Sequence, residues 1–361
     1  MKLIICGDMS VTMDSCPLFE KADHRGAFGD VCDLFATADR TIMNLECALT
    51  ESENRIKKCG PNLKGPKATA DTLKAAGVTD CTLSNNHIFD FGKEGFWDTI
   101  KELDRCGILH TGWGENYEDS RKNMSFEQDG VKVTLVNVCE HEYTYATENR
   151  VGARPFDEFE TMQDIRLAKK DADYVVVVYH GGKELCRYPS PRLMKACREM
   201  VRCGADVVLC QHSHCIGTYE FFEGGHILYG QGNFHFVKDH EAEGWKEGLA
   251  VCLNVTKEGI DFSLEVVIGE ERGIRMATPA EKKEILDAME ARNQTILDGT
   301  WKQHWKEFCI SMEEKYLKAA GFWERYDPEI YQRFAHYLDC EAHTDVWREL
   351  FPTWNATNEQ D

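Results

Sequence analysis

The chain has 361 residues, of which 42% are hydrophobic and 29% charged, and its formal net charge at pH 7 is −20. This composition is typical of a globular protein with a buried core, and the length allows one large domain or two smaller ones. The negative charge argues against nucleic acid or an anionic membrane surface as a partner, because both require a footprint of Lys and Arg.

Targeting segments and disulfides are also not expected. No apolar stretch approaches the ~20 residues that a membrane-spanning helix requires, and the apolar segment that follows Met1 is too short for a secretory signal. We therefore expect a cytoplasmic protein. The 16 cysteines are dispersed and include no Cys-x-x-Cys pair. They are expected to stay reduced and to pack as small hydrophobic side chains.

Apolar runs of strand length alternate with helical patterns along residues 1–270, which predicts an α/β architecture. The predicted strands are Lys2–Cys6, Thr41–Leu45, Cys81–Leu83, Val131–Val138, Tyr174–Tyr179, Val207–Cys210, Ile227–Tyr229, Leu249–Val255 and Phe262–Ile268. The predicted helices are Lys67–Ala76, Lys93–Cys106, Phe156–Lys169 and Ser190–Cys203. Glycine-containing turns such as Glu223–Gly225 predict antiparallel hairpins among the later strands.

The pattern changes after about Arg272, where amphipathic helices with an aromatic face are predicted. These helices are Pro279–Asp298, Trp301–Ala320, Pro328–Leu338 and Thr344–Leu350, and the aromatic face includes Trp301, Trp305, Phe308, Phe322 and Trp323. We expect residues 1–271 to form the main domain and residues 272–361 to form a helical extension that packs on it. The alternative is a surface for a partner or for a homo-oligomer.

Histidines follow two of the predicted strands in the second half of the chain. His180 follows Tyr174–Tyr179, and His212 and His214 follow Val207–Cys210. Because chemistry collects at the carboxyl ends of strands in such sheets, the three imidazoles predict one metal site. On an extended strand, two residues in i and i+2 positions would also share a face. The other histidines lack this placement and are expected to be structural or solvated: His24, His110, His141, His226, His235, His240, His304, His336 and His343.

Polar side chains follow the predicted strands of the first half in the same way. Asp8 follows the first strand, Glu46 the second, and Asn86, His87 and Asp90 the third. Oxygen ligands from these positions would complement the imidazoles. Mixed nitrogen and oxygen ligands suit manganese, iron or zinc better than a metal that prefers thiolates.

As a set, these segments resemble the successive motifs of the CapA family, which is named for bacterial capsule and poly-γ-glutamate synthesis and is a branch of the calcineurin-like metallophosphoesterase superfamily. The similar segments, in order along residues 1–240, are Gly7-Asp8, Asn44-Leu45-Glu46, Ser84–Gly92, His180–Glu184, Gln211–His214 and Tyr229–Phe234. The resemblance implies an α/β, metallophosphoesterase-like four-layer αββα sandwich, with a two-metal site at one edge of its sheets.

The resemblance also implies how two divalent ions (manganese, iron or zinc) would be held. Asp8 and His214 would bind one ion, Asn86, His180 and His212 would bind the other, and Glu46 would bridge them. The broader superfamily has a histidine where this chain has Ser10. If only one ion binds, we therefore expect the loss to be at the Asp8/His214 position.

A metal-dependent hydrolase is the activity that the resemblance implies. A bridging hydroxide would attack and His87 would act as general acid, with Asp90 either orienting His87 or closing the turn before Gly92. The substrate would be a small anionic phosphoester or a γ-glutamyl-type amide linked to capsule or poly-γ-glutamate metabolism. The alternative is a non-catalytic metal-binding component of poly-γ-glutamate or capsule synthesis or export.

Overall fold

The computed structural model describes residues 1–321 and 328–352. Its strands are β1 Lys2–Met9, β2 Arg40–Leu45, β3 Ala48–Leu49, β4 Lys64–Gly65, β5 Asp80–Thr82, β6 Leu109–Thr111, β7 Trp113–Gly114, β8 Met124–Gln128, β9 Val131–Cys139, β10 Gly152–Ala153, β11 Tyr174–His180, β12 Val207–Gln211, β13 Tyr219–Phe222, β14 Gly225–Leu228, β15 Asn233–His235, β16 Glu247–Val255, β17 Ile260–Gly269 and β18 Ile274–Met276. Its helices are α1 Cys16–Glu20, α2 His24–Phe28, α3 Val31–Phe35, α4 Thr69–Ala76, α5 Gly92–Cys106, α6 Tyr117–Ser120, α7 Glu158–Asp171, α8 Pro191–Arg202, α9 Pro279–Asp298, α10 Trp301–Ala320, α11 Pro328–Asp339 and α12 Glu341–Leu350.

The strands form two large sheets. The first has the order β18-β17-β16-β1-β2-β5-β6, with β15 also paired to β1, and the second has the order β13-β14-β12-β11-β9-β8. Strands β1, β2, β5 and β6 run parallel, as do β9, β11, β12 and β14. The outer pairs β16–β17 and β13–β14 are antiparallel hairpins, so the predicted hairpins are confirmed. The parallel strands of each sheet therefore end at one common edge.

Alternating side chains hold the two sheets and their helices together, as the period of a strand requires. In β1, Leu3 and Ile5 belong to the core between the sheets, whereas Ile4 belongs to the core beneath the helices. In β11, Val176 faces the core between the sheets and Val177 the core beneath α7 and α8. Because both faces of these strands are buried, the strands read as continuous apolar runs. The predicted four-layer αββα sandwich is confirmed.

Side-chain caps explain where some helices differ from their predicted bounds. The Asp157 carboxylate accepts hydrogen bonds from the backbone N–H groups of Phe159 and Glu160, so α7 begins at Glu158 rather than at Phe156. The Ser190 hydroxyl accepts from the N–H of Leu193 and caps α8. The predictions missed the short elements before residue 66, because helices and strands of two to five residues show little periodicity.

The C-terminal helices begin at Pro279, since Ile274–Met276 pairs with β17 as the edge strand of the first sheet. The expected boundary at residue 272 thus lies inside this hairpin. Trp301, Trp305 and Tyr316 are buried in the core that also covers the outer face of the second sheet. Phe322, Trp323 and residues 353–361 lie outside the described part of the chain. Within the described residues, no helix combines the length and apolar character needed to span a bilayer.

Candidate metal centre

The structure brings the six predicted ligands together where parallel strands of both sheets end. Two groups of side chains have ligand atoms that all lie within 4.8 Å of one another, and Glu46 belongs to both groups. The first group joins Glu46 to His180 and His212, and the second joins it to Asp8 and His214. This is the spacing expected of two adjacent ions that share one carboxylate.

Four donor atoms surround one point in the first group. The Nε2 atom of His180 lies 3.0 Å from Oδ1 of Asn86, 3.2 Å from Nδ1 of His212 and 3.5 Å from Oε1 of Glu46. On the other side of the His180 ring, Nδ1 lies 3.2 Å from Nδ2 of Asn44. Asn44 therefore contacts the edge of the ring that faces away from the shared point, while Nε2 lies on the side of that point.

The second group is smaller. The Nδ1 atom of His214 lies 3.7 Å from Oδ2 of Asp8 and 2.9 Å from Oδ1 of Asn233. The Asp8 carboxylate is positioned by two donors, the side-chain amide of Asn44 at 2.8 Å and the backbone N–H of His212 at 2.9 Å. This group supplies three ligand side chains rather than four, as the serine at position 10 leads one to expect.

His212 and His214 reach these positions from a loop and not from a strand. Strand β12 ends at Gln211, and both histidines have left-handed backbone, with φ of 85° and 53° respectively. The predicted shared strand face is therefore wrong, although the two rings lie 6.0 Å apart and face the same centre. Positive φ in residues other than glycine costs on the order of 1 kcal/mol each and is typical of functional sites.

Glu46 carries the clearest sign that the centre is built for cations. The residue is fully buried, and neither carboxylate oxygen has a hydrogen-bond partner among the described residues. Burial, reinforced by Asp8, raises the pKa of Glu46 from its ordinary 4.5 to about 8. Burial lowers the pKa of His180 to about 3, so its imidazole is neutral and can coordinate. A buried carboxylate without partners fits divalent ions, which would supply the missing charge.

His87 lies beside this centre in a buried network that includes one residue not predicted. Its Nδ1 lies 2.6 Å from Oδ2 of Asp90, and the Lys58 ammonium lies 2.7 Å from Oδ1 of Asp90 and 3.2 Å from the same His87 nitrogen. The Asp90 carboxylate also accepts a hydrogen bond of 2.7 Å from the backbone N–H of Leu63. Asp90 thus contacts the His87 ring directly. Burial and the charge of Lys58 lower the pKa of His87 to about 4.

With this geometry in place, comparison with known proteins gives the family. The sequence profile described as bacterial capsule synthesis protein PGA_cap matches residues 2–238 of this chain. The chain belongs to the PGA_cap family. The match covers every predicted site residue and ends before the C-terminal helices, and it confirms the predicted membership.

Two proteins from Bacillus are among the relatives of this PGA_cap protein. The chain is 31% identical to the capsule biosynthesis protein CapA of Bacillus anthracis over 74% of its own length and 66% of that protein. It is 29% identical to the PGA biosynthesis protein CapA of Bacillus subtilis strain 168 over 69% of its length and 65% of that protein. The chain thus spans slightly less than two thirds of these relatives. Among solved structures, a 5′-nucleotidase precursor from Thermus thermophilus aligns over 82% of this chain and 59% of its own, with 14% identity and a TM-score of 0.44.

Glu142 is a further residue at the centre of this PGA_cap protein that the sequence predictions missed. Its Oε2 accepts a hydrogen bond of 2.9 Å from Asn86, and its Oε1 lies 3.5 Å from Nε2 of His212. One carboxylate thereby orients two of the predicted ligands. The residue follows strand β9, so the rule that found the other strand-end residues could have found this one.

A cavity of about 300 Å³ opens beside Asn86 and His87. Its far wall is formed by the C-terminal helices, with Lys315 from α10, Arg333 from α11 and His343 from α12. These helices lie beyond the residues that match the family. They therefore define a space next to the candidate centre that the family motifs do not describe.

Proposed function

We propose that this protein is a metal-dependent hydrolase that acts on a phosphoester or a γ-glutamyl-type amide in capsule or poly-γ-glutamate metabolism. The observation that carries the proposal is the environment of Glu46. Its carboxylate is fully buried, has no hydrogen-bond partner among the described residues and belongs to two groups of ligand side chains. The names of the Bacillus relatives, which concern capsule and PGA biosynthesis, support the metabolic setting.

Two divalent ions (manganese, iron or zinc) fit these donors. Asn86, His180 and His212 would hold one ion, Asp8 and His214 the other, and Glu46 would contact both. When bound, such ions supply Lewis acidity and lower the pKa of water toward neutrality. The chain contributes the fixed orientation of its donors, because Asn44 donates to Asp8, Asn233 contacts His214 and Glu142 accepts from Asn86.

His87 would serve the leaving group. Asp90 occupies Nδ1 of the imidazole, which leaves Nε2 for the substrate. The low pKa of His87 keeps the ring neutral at pH 7 in the free protein. An anionic substrate beside the ring would raise that pKa and favour the protonated form, so His87 would become an effective acid only with such a substrate bound.

The cavity favours a substrate with negative charge, whether phosphate or glutamyl carboxylate. Lys183, Lys315 and Arg333 line it, and none of the three forms an ion pair with any residue in the described part of the chain. Burial and Lys183 lower the pKa of Lys315 by more than the nearby Glu184 raises it, as expected where cations outnumber their counter-ions. A bound anion would supply the missing counter-charge even though the whole chain is strongly negative.

The experiment is an assay of purified protein with Mn²⁺ against panels of phosphoesters and γ-glutamyl peptides. Wild-type protein should hydrolyse members of one panel. His212→Ala should lose bound metal and activity together, because removal of a ligand weakens the binding of the ion. The exposed Glu258→Gln is the matched control and should leave both unchanged.

A non-catalytic metal-binding component of polymer synthesis or export is the second candidate. It is favoured by the three-residue group around Asp8 and His214, in which Ser10 supplies no imidazole. Under this alternative, the protein would bind Mn²⁺ with the same dependence on His212 yet hydrolyse neither panel. That combination of results would refute the hydrolase proposal.

A further inference from the structure

A second set of metal-ligating side chains lies outside the predicted centre, where the C-terminal helices meet the loop after β9. The ligand atoms of Glu142, Cys340 and His343 all lie within 4.8 Å of one another. Cys340 is fully buried, His343 is 7% exposed and the Glu142 side chain is 11% exposed. These residues come from a loop and a helix pair that are about 200 positions apart in sequence.

The distances suit a tetrahedral ion. The Cys340 sulfur lies 3.3 Å from Oε1 of Glu142, close to the ~3.6 Å edge that a tetrahedron with ~2.3 Å sulfur and ~2.1 Å oxygen bonds would have. The other oxygen of Glu142 accepts from Asn86 and is directed away from the thiol. A small separation of the two atoms would therefore bring both ligands onto one cation.

The His343 ring is already oriented for such a role. Its Nδ1 lies 2.5 Å from the Tyr316 hydroxyl, which leaves Nε2 as the coordinating nitrogen. A hydrogen-bonded partner on the second ring nitrogen is a regular feature of metal-binding histidines, because it selects the tautomer. His336, whose ring centroid lies 4.7 Å from that of His343, or a water molecule would provide a fourth ligand.

Two neighbouring carboxylates differ in a way that identifies the ligand. Glu140 is satisfied by Arg192 at 2.6 Å, the Tyr179 hydroxyl at 2.8 Å and the backbone N–H of Ala342 at 3.1 Å. Glu142, in contrast, forms no ion pair with any Lys or Arg of the described residues. Its Oε1 accepts from the Cys340 thiol and also faces the His212 imidazole, so loss of the thiol proton would leave this oxygen and the sulfur to bind one cation.

We propose that Glu142, Cys340 and His343 form a zinc site that joins α11 and α12 to the loop after β9. Zinc is the divalent metal that best matches one thiolate, one imidazole and one carboxylate in tetrahedral geometry. On binding, the thiol proton passes to solvent and the sulfur–zinc bond forms, with no change of oxidation state. The site is separate from the candidate centre around Glu46 but adjoins it, because Glu142 also contacts Asn86 and His212.

The test uses metal-depleted full-length protein titrated with Co²⁺, whose bond to a thiolate gives a charge-transfer absorption band. Wild-type protein should develop this band, with a final intensity that corresponds to one cobalt–thiolate bond per chain, and added Zn²⁺ should abolish it. Cys340→Ser should lose the band, whereas Cys309→Ser, at a buried cysteine of α10, should keep it. Zinc-loaded wild-type protein should also retain about one equivalent more zinc than Cys340→Ser by elemental analysis.

The outcomes separate this site from the proposed dinuclear centre. Glu46→Gln should keep the cobalt–thiolate band, and Cys340→Ser should still bind Mn²⁺ at the centre around Glu46. No thiolate band in wild-type protein, or an unchanged band in Cys340→Ser, would overturn the proposal. His343→Gln provides a second variant if Cys340→Ser does not fold, since it keeps the thiolate but should shift the band and weaken cobalt binding. An unaltered spectrum and affinity in His343→Gln would equally overturn it.

Discussion

Replacement of Glu46 by glutamine tests whether the centre is destabilised until a cation binds. In the metal-free native state the pKa of Glu46 is raised from 4.5 to about 8, whereas in the unfolded chain it returns to the ordinary value. The folded protein therefore holds a proton that the unfolded chain releases as the pH rises between these values. The contribution of Glu46 to stability is present below pH 4.5 and is lost as the pH rises through about 8.

The magnitude follows from the two pKa values. Because Glu46 ionises more readily in the unfolded chain than in the folded protein, it reduces the free energy of unfolding by about 1 kcal/mol at pH 5 and by about 4 kcal/mol at pH 8. Glutamine does not titrate, but its buried amide without partners costs a roughly constant 1–3 kcal/mol. We expect Glu46→Gln to be less stable than, or equal to, the metal-free wild type at pH 5 and more stable at pH 8. The change between the two pH values should be about 3 kcal/mol.

Urea unfolding of EDTA-treated wild type and Glu46→Gln at pH 5 and pH 8 measures this change. The cost of the buried amide is the same at both pH values and therefore cancels when the two stability differences are subtracted. Addition of Mn²⁺ at pH 8 should stabilise the wild type more than the variant: an ion at 100 times its dissociation constant adds about 2.7 kcal/mol to the wild type, and the variant lacks the shared carboxylate. The exposed Glu258→Gln is the control and should show no pH-dependent difference. A difference for Glu46→Gln below about 1 kcal/mol between the two pH values would refute the reasoning.

Further predictions concern the residues around the centre. His87→Ala should retain bound metal while hydrolysis falls by on the order of 10²–10⁴-fold; loss of metal in a binding assay would instead make His87 a ligand. Glu142→Gln should weaken Mn²⁺ binding roughly 10–100-fold, as measured calorimetrically, because Asn86 and His212 lose their shared carboxylate; an unchanged affinity would contradict its orienting role. Lys315→Gln should raise KM for an anionic substrate about 10-fold, while Lys318→Gln, at a lysine of the same helix that does not line the cavity, should not; equal effects would place the substrate elsewhere. Deletion of residues 279–361 should give insoluble protein, since it exposes the outer core of the second sheet; a soluble protein with unchanged thermal unfolding would contradict this.

The sequence by itself determined the architecture and the position of most candidate ligands. Apolar runs of strand length gave the main strands, because the parallel strands are buried on both faces and leave an unbroken hydrophobic pattern. Polar residues at the ends of those runs were predictable as neighbours, because parallel strands end at one edge of a sheet. Asp8, Glu46, Asn86 and His180 were found in this way.

Only the tertiary structure decided the features that depend on non-local contacts or on backbone conformation. The left-handed φ values of His212 and His214 have no signature in a pair of histidines, so extended geometry was the natural but incorrect prediction. Lys58 lies in an irregular segment without periodicity, and only the folded chain brings it to Asp90. Glu142 and Cys340 meet across 198 positions of sequence, because packing of the C-terminal helices on the second sheet is set by shape and burial rather than by any local pattern.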